Sequence, residues 1–226
     1  MKTTLLGLAL SLIMCNLNAQ EIEKTYVNNK RIVSDNQETI FGDEFSIRGF
    51  LELNSSVTTV RNQTAAMMGG GIDIVFNHKL NIGFVGTGMI AEVESPNLSF
   101  DGVNHNFIQF GYGGLKVEPV FNSNKKIHFS VPLIIGGGGL FETDFNIWDE
   151  LDYYDDGFNH INHNLRRSDA IFVFEPGLNI ELNLFKHARL ATGAKYRMVN
   201  DVDIVNLKNA DFEGLSGHIS LRFGWF

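Results

Sequence analysis

Leu215-Ser-Gly-His-Ile-Ser-Leu-Arg-Phe-Gly-Trp-Phe226 is the stretch that decides the fold. Leu215, Gly217, Ile219, Leu221, Phe223 and Trp225 alternate with Ser216, His218, Ser220, Arg222 and Gly224, so one face is apolar and the other polar. Strict period-two alternation marks a strand held between two unlike environments. Behind an export signal, a chain closing on such a strand predicts a barrel sealed in an outer membrane.

The N-terminus supplies that signal. Lys2, the apolar run from Leu5 to Met14 and Ala19 before Gln20 have the form of a secretory leader, so residues 1–19 are expected to be removed. Cys15, the sole cysteine, lies inside the leader, and Met14 is bulkier than the small residue a lipidation site places before its cysteine. Without the leader the chain has no thiol, which excludes disulfides and cysteine-based catalysis or metal binding. The sequence carries 26 acidic and 18 basic residues. Losing Lys2 with the leader widens that excess, which argues against a nucleic-acid partner. After the leader, nothing approaches the roughly 18 apolar residues of a membrane-spanning helix, so a bilayer would have to be crossed by a closed sheet.

Residues 20–44 are polar and aperiodic and are expected to form a periplasmic N-terminal stub ahead of a barrel at 45–226. The remainder divides into eight alternating segments: Phe45–Thr58, Ala65–Phe76, Leu80–Val93, Phe107–Phe121, Ile127–Leu140, Ala170–Leu184, Arg189–Val199 and Leu215–Phe226. Each reaches the roughly 9 to 11 residues that a tilted transmembrane strand needs. After the first connection the links alternate between short (77–79, 122–126, 185–188) and long (95–106, 142–169, 200–214). Short periplasmic turns and long external loops produce that alternation, whereas a soluble sandwich has no reason to. The expected class is therefore all-β, an eight-stranded antiparallel up-and-down transmembrane β-barrel.

Parity assigns the faces. Outward are expected Leu51, Leu53, Ile72, Ile74, Ile82, Phe84, Phe110, Tyr112, Phe129, Val131, Leu133, Phe172, Phe174, Leu178, Ile180, Leu182, Tyr196, Ile219, Leu221 and Phe223. The opposite parity carries Arg48, Glu52, Asp73, Lys116, Glu118, Glu175, Glu181, Lys195, Arg197 and Arg222, five acids and five bases. Eight strands leave an interior just wide enough for side chains, and matched charges can fill it with ion pairs where a selective pore shows one dominant sign. The expectation is a plugged lumen with a charge network at those ten positions. Pro132 and Pro176 fall in mid-strand, where local bulges are expected because a closed barrel has no free edge. In the fourth segment the apolar parity switches across Gly113 and Gly114, which predicts a further bulge there.

Other motifs are weaker. The clusters Gly69–Gly71 and Gly136–Gly139 lack the Lys-Ser/Thr pair of a phosphate loop and sit within strand patterns, where glycine supplies curvature or room. The loop from Glu142 to Asp169 is rich in acids and is the candidate site for a divalent cation, but a solvated acidic loop is favoured. Asp152, Tyr154, Asp156 and Gly157 only faintly echo the start of a calcium loop, and the match fails because His163 stands where the closing Glu belongs. His160 and His163 alone are weak evidence for a transition metal. His218 and Ser220 share a face with Glu175 or Glu181 across the lumen, a superficial hydrolase triad without substrate access. Aromatic residues at strand ends, such as Phe45, Phe76, Phe121, Phe141 and Trp225, fit interfacial girdles.

Gln109–Leu115, Lys126–His128 leading into Leu133–Gly139, Phe174–Leu182, Tyr196-Arg197 and Leu221–Phe226 together resemble an uncharacterised family of outer-membrane β-barrel proteins from Bacteroidota. The resemblance covers most of residues 45–226 and implies the barrel and its Gram-negative outer-membrane location, with no activity or site residues to transfer. More distantly the architecture resembles small barrels of the OmpA and OmpX kind, although Gly224 stands where a second aromatic is common. The expectation is a porin-like but non-enzymatic barrel without cofactors. Its expected partners are outer-membrane lipid, the barrel-assembly machinery and whatever its external loops engage. A narrow channel or small-ligand carrier, a membrane-embedded lipid hydrolase or acyltransferase, and a soluble exported barrel are the alternatives.

Overall fold

The computed structural model describes residues 46–98, 105–143 and 165–226. The expected leader, the polar stub and nearly all of the acidic loop, including His160 and His163, lie outside the described residues.

The described chain forms ten strands: β1 (Ile47–Val60), β2 (Gln63–Phe76), β3 (Leu80–Met89), β4 (Val93–Leu98), β5 (His105–Phe121), β6 (Ile127–Ser130), β7 (Leu133–Thr143), β8 (Leu165–Phe185), β9 (Ala188–Asn200) and β10 (Gly214–Gly224). One short helix, α1 (Asn209–Phe212), precedes β10. Every pairing is antiparallel between neighbours in an up-and-down order, and β1 pairs with both β2 and β10, so the sheet closes on itself. Closure leaves no edge along this seam, because Phe50–Val57 runs in register against Gly224–Gly217.

The count is ten rather than the expected eight for two local reasons. β3 and β4 both pair with β5, at Gly88↔Gly111 and Val93↔Ile108, where the chain leaves the ladder briefly between them. β6 and β7 both lie between β5 and β8 and are separated only at Val131 and Pro132. Proline has no N–H to give the ladder. The bulge expected there is absent, because the register continues unshifted from Ser130↔Asn179 to Leu133↔Pro176, and Gly177 N–H still reaches the Pro132 carbonyl at 2.8 Å. Pro176 likewise causes no slip, since Phe174↔Met198 and Gly177↔Lys195 belong to one register.

The bulge expected at Gly113 and Gly114 is also absent. β5 pairs continuously with β3 from Leu80↔Pro119 to Gly88↔Gly111 and with β7 from Val117↔Leu133 to Phe107↔Thr143. With parity unbroken, Ile108, Phe110 and Tyr112 face inward beside Lys116 and Glu118, and all five are buried. Phe110 and Tyr112 therefore leave the expected outward set. The interior here is apolar, which alternation alone does not distinguish from an apolar exterior.

The turns show why the strands end where they do. Val60 pairs with Gln63 across Arg61 and Asn62, whose φ values of 49° and 62° form a tight two-residue hairpin. Such turns carry the twist that flanking strands require, and Asn tolerates the left-handed region well. Glycines then let the sheet bend: a Cβ on Gly136 would lie 2.0 Å from the Gly113 carbonyl oxygen, and one on Gly114 2.3 Å from that of Ile135. Strand backbones approach at this crossing more closely than any side chain permits.

Candidate functional site

Inward side chains sort into three layers along the lumen. At the end bearing the short turns, Phe50, Val75 and Phe226 form a small apolar cluster, with the Phe50 and Phe226 ring centroids 5.2 Å apart. Above it lies the charged layer, and above that a larger apolar cluster toward the opposite end. Phe226 is tucked inside on the same parity as Ser220 and Arg222, and the Trp225 main-chain N–H bonds the Gly49 carbonyl at 2.9 Å.

Arg222 of β10 is the hub of the charged layer. Its Nε lies 3.0 Å from Glu52 Oε2 of β1, its Nη2 2.9 Å from Glu118 Oε1 of β5, and its Nη1 2.7 Å from Glu181 Oε1 of β8. A guanidinium presents several donors in a rigid fork, so one side chain can bind carboxylates from three directions. Lys116 of β5 forms a second hub, with Nζ 2.7 Å from Glu52 Oε2 and 2.9 Å from Asp73 Oδ2 of β2. Glu118 is saturated further by Ser130 Oγ at 2.6 Å and by the amides of Asn179 at 2.9 Å and Asn81 at 3.0 Å. These neutral donors complete the solvation that burial removed, as a buried ion cluster requires.

Two members of this layer were outside the sequence expectation. His128 of β6 sits with Nε2 3.0 Å from Glu181 Oε2, and Arg189 of β9 approaches the same oxygen at 3.6 Å while its guanidinium covers the Phe226 ring at 4.0 Å. The inward parity of β6 and β9 carried the signal for both. Arg48 is a correction in the other direction: it is exposed at the turn-end rim, where Nη1 donates to the Phe226 main-chain oxygen at 2.5 Å. It shares the inward parity of β1 but lies beyond the point where the lumen encloses side chains.

Glu175, Lys195 and Arg197 stand apart from that hub. Glu175 accepts from the Tyr112 hydroxyl at 2.8 Å, and Lys195 Nζ approaches its other oxygen only to 4.0 Å. Beside them is a cavity of about 10 Å³, lined in part by Asn54, Ser56, Tyr112, Glu175, Lys195 and Ser216. Such a space holds about one water molecule. Arg197 lies deeper in the apolar layer, donating from Nε to the Phe212 carbonyl at 2.7 Å with its guanidinium 4.9 Å from the Phe110 ring centroid.

The far end is capped by the segment after β9. Ile204, Leu207 and Phe212 are buried in one cluster with Val60, Met67, Phe110, Tyr112 and Leu140. Arg61 N–H bonds the Asp211 carbonyl at 2.7 Å, tying the capping segment to the first hairpin. Glu142 takes part in this closure. Expected to open the acidic loop, it belongs to β7, is fully buried, and accepts hydrogen bonds from Ser95 Oγ, from Asn97 Nδ2 at 2.7 Å and from Arg167 Nη1 at 3.0 Å. Asn97 Nδ2 also donates to the Val205 carbonyl at 2.9 Å, so Asn97 of β4 links the Glu142 carboxylate of β7 to the capping segment.

The superficial triad is not assembled. His218 and Ser220 are buried, and neither His218 Nδ1 nor Ser220 Oγ has a hydrogen-bond partner among the described residues. Glu175 and Glu181 are engaged with Tyr112 and with His128 and Arg222, respectively.

No protein-family model and no curated protein matches the chain. Among solved structures it is similar to Neisserial surface protein A, with 10% identity over 80% of this chain and 99% of that one at a TM-score of 0.45. It is also similar to Ail, the attachment invasion locus protein of Yersinia pestis, with 13% identity over 79% and 98% at 0.41. A third is the N-terminal β-barrel domain of Pseudomonas aeruginosa OprF, with 10% identity over 78% and 97% at 0.40. At such scores these likenesses add nothing to what the closed sheet itself displays.

Proposed function

We propose that this chain is an integral outer-membrane β-barrel protein with a filled, charge-paired lumen, which acts through its external surface and not as an open channel or an enzyme. Counting β3 with β4 and β6 with β7 as single positions gives an eight-position ring, the size at which side chains alone can fill a barrel.

One observation carries the reading. Among the described residues, no outward position of β1, β2, β3, β5, β6, β7, β9 or β10, nor of β8 from Ser168 on, bears Asp, Glu, Lys or Arg. Large apolar side chains stand exposed at many of these positions, among them Leu53 at 63%, Phe84 at 67% and Leu178 at 57%, with small or uncharged residues at the others. Water-soluble monomers rarely expose contiguous apolar area beyond a few hundred Å², and an apolar belt around a polar interior is the arrangement a bilayer selects. The filled lumen is supported by the two apolar clusters on either side of the ion pairs and by a cavity with room for about one water.

Heat-modifiable gel mobility of the chain without its first 19 residues, refolded with and without lipid vesicles, tests the membrane reading. Faster unboiled migration only with amphiphile is expected, and a compact monodisperse protein without it would overturn the assignment. Planar-bilayer recording tests the lumen: a silent bilayer is expected, whereas discrete conductance steps would establish the narrow-channel alternative.

A further inference from the structure

Charge is divided between the two ends of the sheet. The three short turns, 77–79, 122–126 and 186–187, contain Lys79, Lys125, Lys126 and Lys186, all exposed, together with His78 and His187 and no acidic residue. At the other end the capping segment from Asp201 to Glu213 has four acids against Lys208 alone. Asp43 and Glu44, which precede β1 in sequence, lie outside the described residues.

The lysines do not stand on a merely polar rim. Immediately beside them the outward face ends in exposed aromatic side chains: Phe121, Phe129, Phe185, Phe223 and Trp225. Aromatic rings form girdles at the edges of the apolar band of a membrane barrel, and a lysine next to them can lay its alkyl stem on that band while its ammonium reaches the phosphate plane. Juxtamembrane lysines are attracted by anionic lipid over about a Debye length.

We propose that the turn end is a binding surface for the anionic phospholipid headgroups of the leaflet it faces, with Lys79, Lys125, Lys126 and Lys186 as the phosphate contacts and Phe185 and Trp225 embedded beside them. This rests on the membrane reading above. The chain as a whole has a formal net charge of −8, so attraction by net charge alone would give the opposite preference. Enrichment of anionic lipid at one end is a consequence of the asymmetry.

The test reads the lipid next to Trp225. In a W148F background, leaving Trp225 as the one tryptophan, the refolded barrel is placed in mixed phosphatidylcholine and phosphatidylglycerol vesicles in which either one lipid or the other is brominated. Quenching by brominated phosphatidylglycerol about twofold stronger than by brominated phosphatidylcholine at equal mole fraction is expected, falling to parity in 0.5 M salt. The variant K79Q/K125Q/K126Q/K186Q should lose the preference while keeping its heat-modifiable form. The paired variants K79Q/K186Q and K125Q/K126Q, each expected to lose part of it, serve if the fourfold change does not fold. Equal quenching by the two lipids in the parent protein, or a preference that survives the lysine changes, overturns the inference while leaving the barrel reading intact. Failure to reach a heat-modifiable form in either lipid overturns the membrane reading first.

Discussion

Arg222 Nη2 and Glu118 Oε1 meet at 2.9 Å across the lumen, although 104 residues separate them in sequence. β10 and β5 are not neighbours in the sheet, so this pair spans the interior instead of running along its wall. Glu52 and Glu181 reach the same guanidinium from two further strands, and the four side chains bind the ring together from within.

Replacing Arg222 with Met leaves three buried carboxylates short of their shared cation. The expected loss is about 3–5 kcal/mol of unfolding free energy, read from urea titration in vesicles. Adding Glu118→Gln to Arg222→Met should recover part of it, because the two changes remove one interaction between them. Additive losses would show that the pair is not coupled.

Phe84 faces outward midway along β3 and is 67% exposed. Phe84→Arg should cost about 2–4 kcal/mol in lipid vesicles if this position faces hydrocarbon. On a solvated surface the same change would stay within about 0.5 kcal/mol. The measured unfolding free energy separates the two environments without reference to activity.

Two strand glycines, Gly136 of β7 and Gly217 of β10, should respond differently to a methyl group. A methyl group on Gly136 meets backbone, 2.0 Å from the Gly113 oxygen and 2.5 Å from the Gly114 Cα, whereas one on Gly217 meets nothing within 4 Å. Gly136→Ala is expected to lose about 1–3 kcal/mol or to fail to refold, and Gly217→Ala to match the parent. Gel mobility of unboiled samples gives the folded fraction for both.

Phe212 is fully buried at the capped end, the last residue of α1, with its ring tilted against that of Phe110 at 5.5 Å between centroids. Phe212→Ala should release residues 201–213 to protease and to fast amide exchange, while the strand amides stay protected and the heat-modifiable form persists. Local opening is expected because the segment is anchored mainly by this cluster and a few hydrogen bonds. Global unfolding at the same denaturant concentration would mean that the cap belongs to the cooperative core.

The outward apolar pattern could be read from parity because no charge interrupts it in β1, early in the sequence, or in β10, late in it. What parity could not decide was which of two apolar surroundings a residue meets. Phe110 and Tyr112 alternate as cleanly as Leu51 and Leu53, but they pack against Phe212 and Leu207 from a segment about 100 positions later. The same distance hid the role of Glu142, whose partners Asn97 and Ser95 come from another hairpin. Pro132 misled for a different reason: a missing donor predicts an irregular ladder, and here Val131 N–H still bonds the Pro119 carbonyl at 3.1 Å, Gly177 N–H bonds the Pro132 carbonyl, and the register runs through unshifted. Arg48 shows the limit at strand ends, where parity continues past the point at which the wall encloses anything.

The seam between β1 and β10 has a kinetic consequence. Glu52 arrives with the first strand and Arg222 with the last, so every assembly stage before closure leaves the carboxylates of Glu52, Glu118 and Glu181 without their shared counter-ion. Lys116, His128 and Arg189 are already present in a partly built sheet, so it gains part of the interior pairing but not the link that Arg222 makes among the three carboxylates. Closure of the ring at β1 and β10 and completion of the charged layer therefore coincide, because both wait for the strand that carries Arg222.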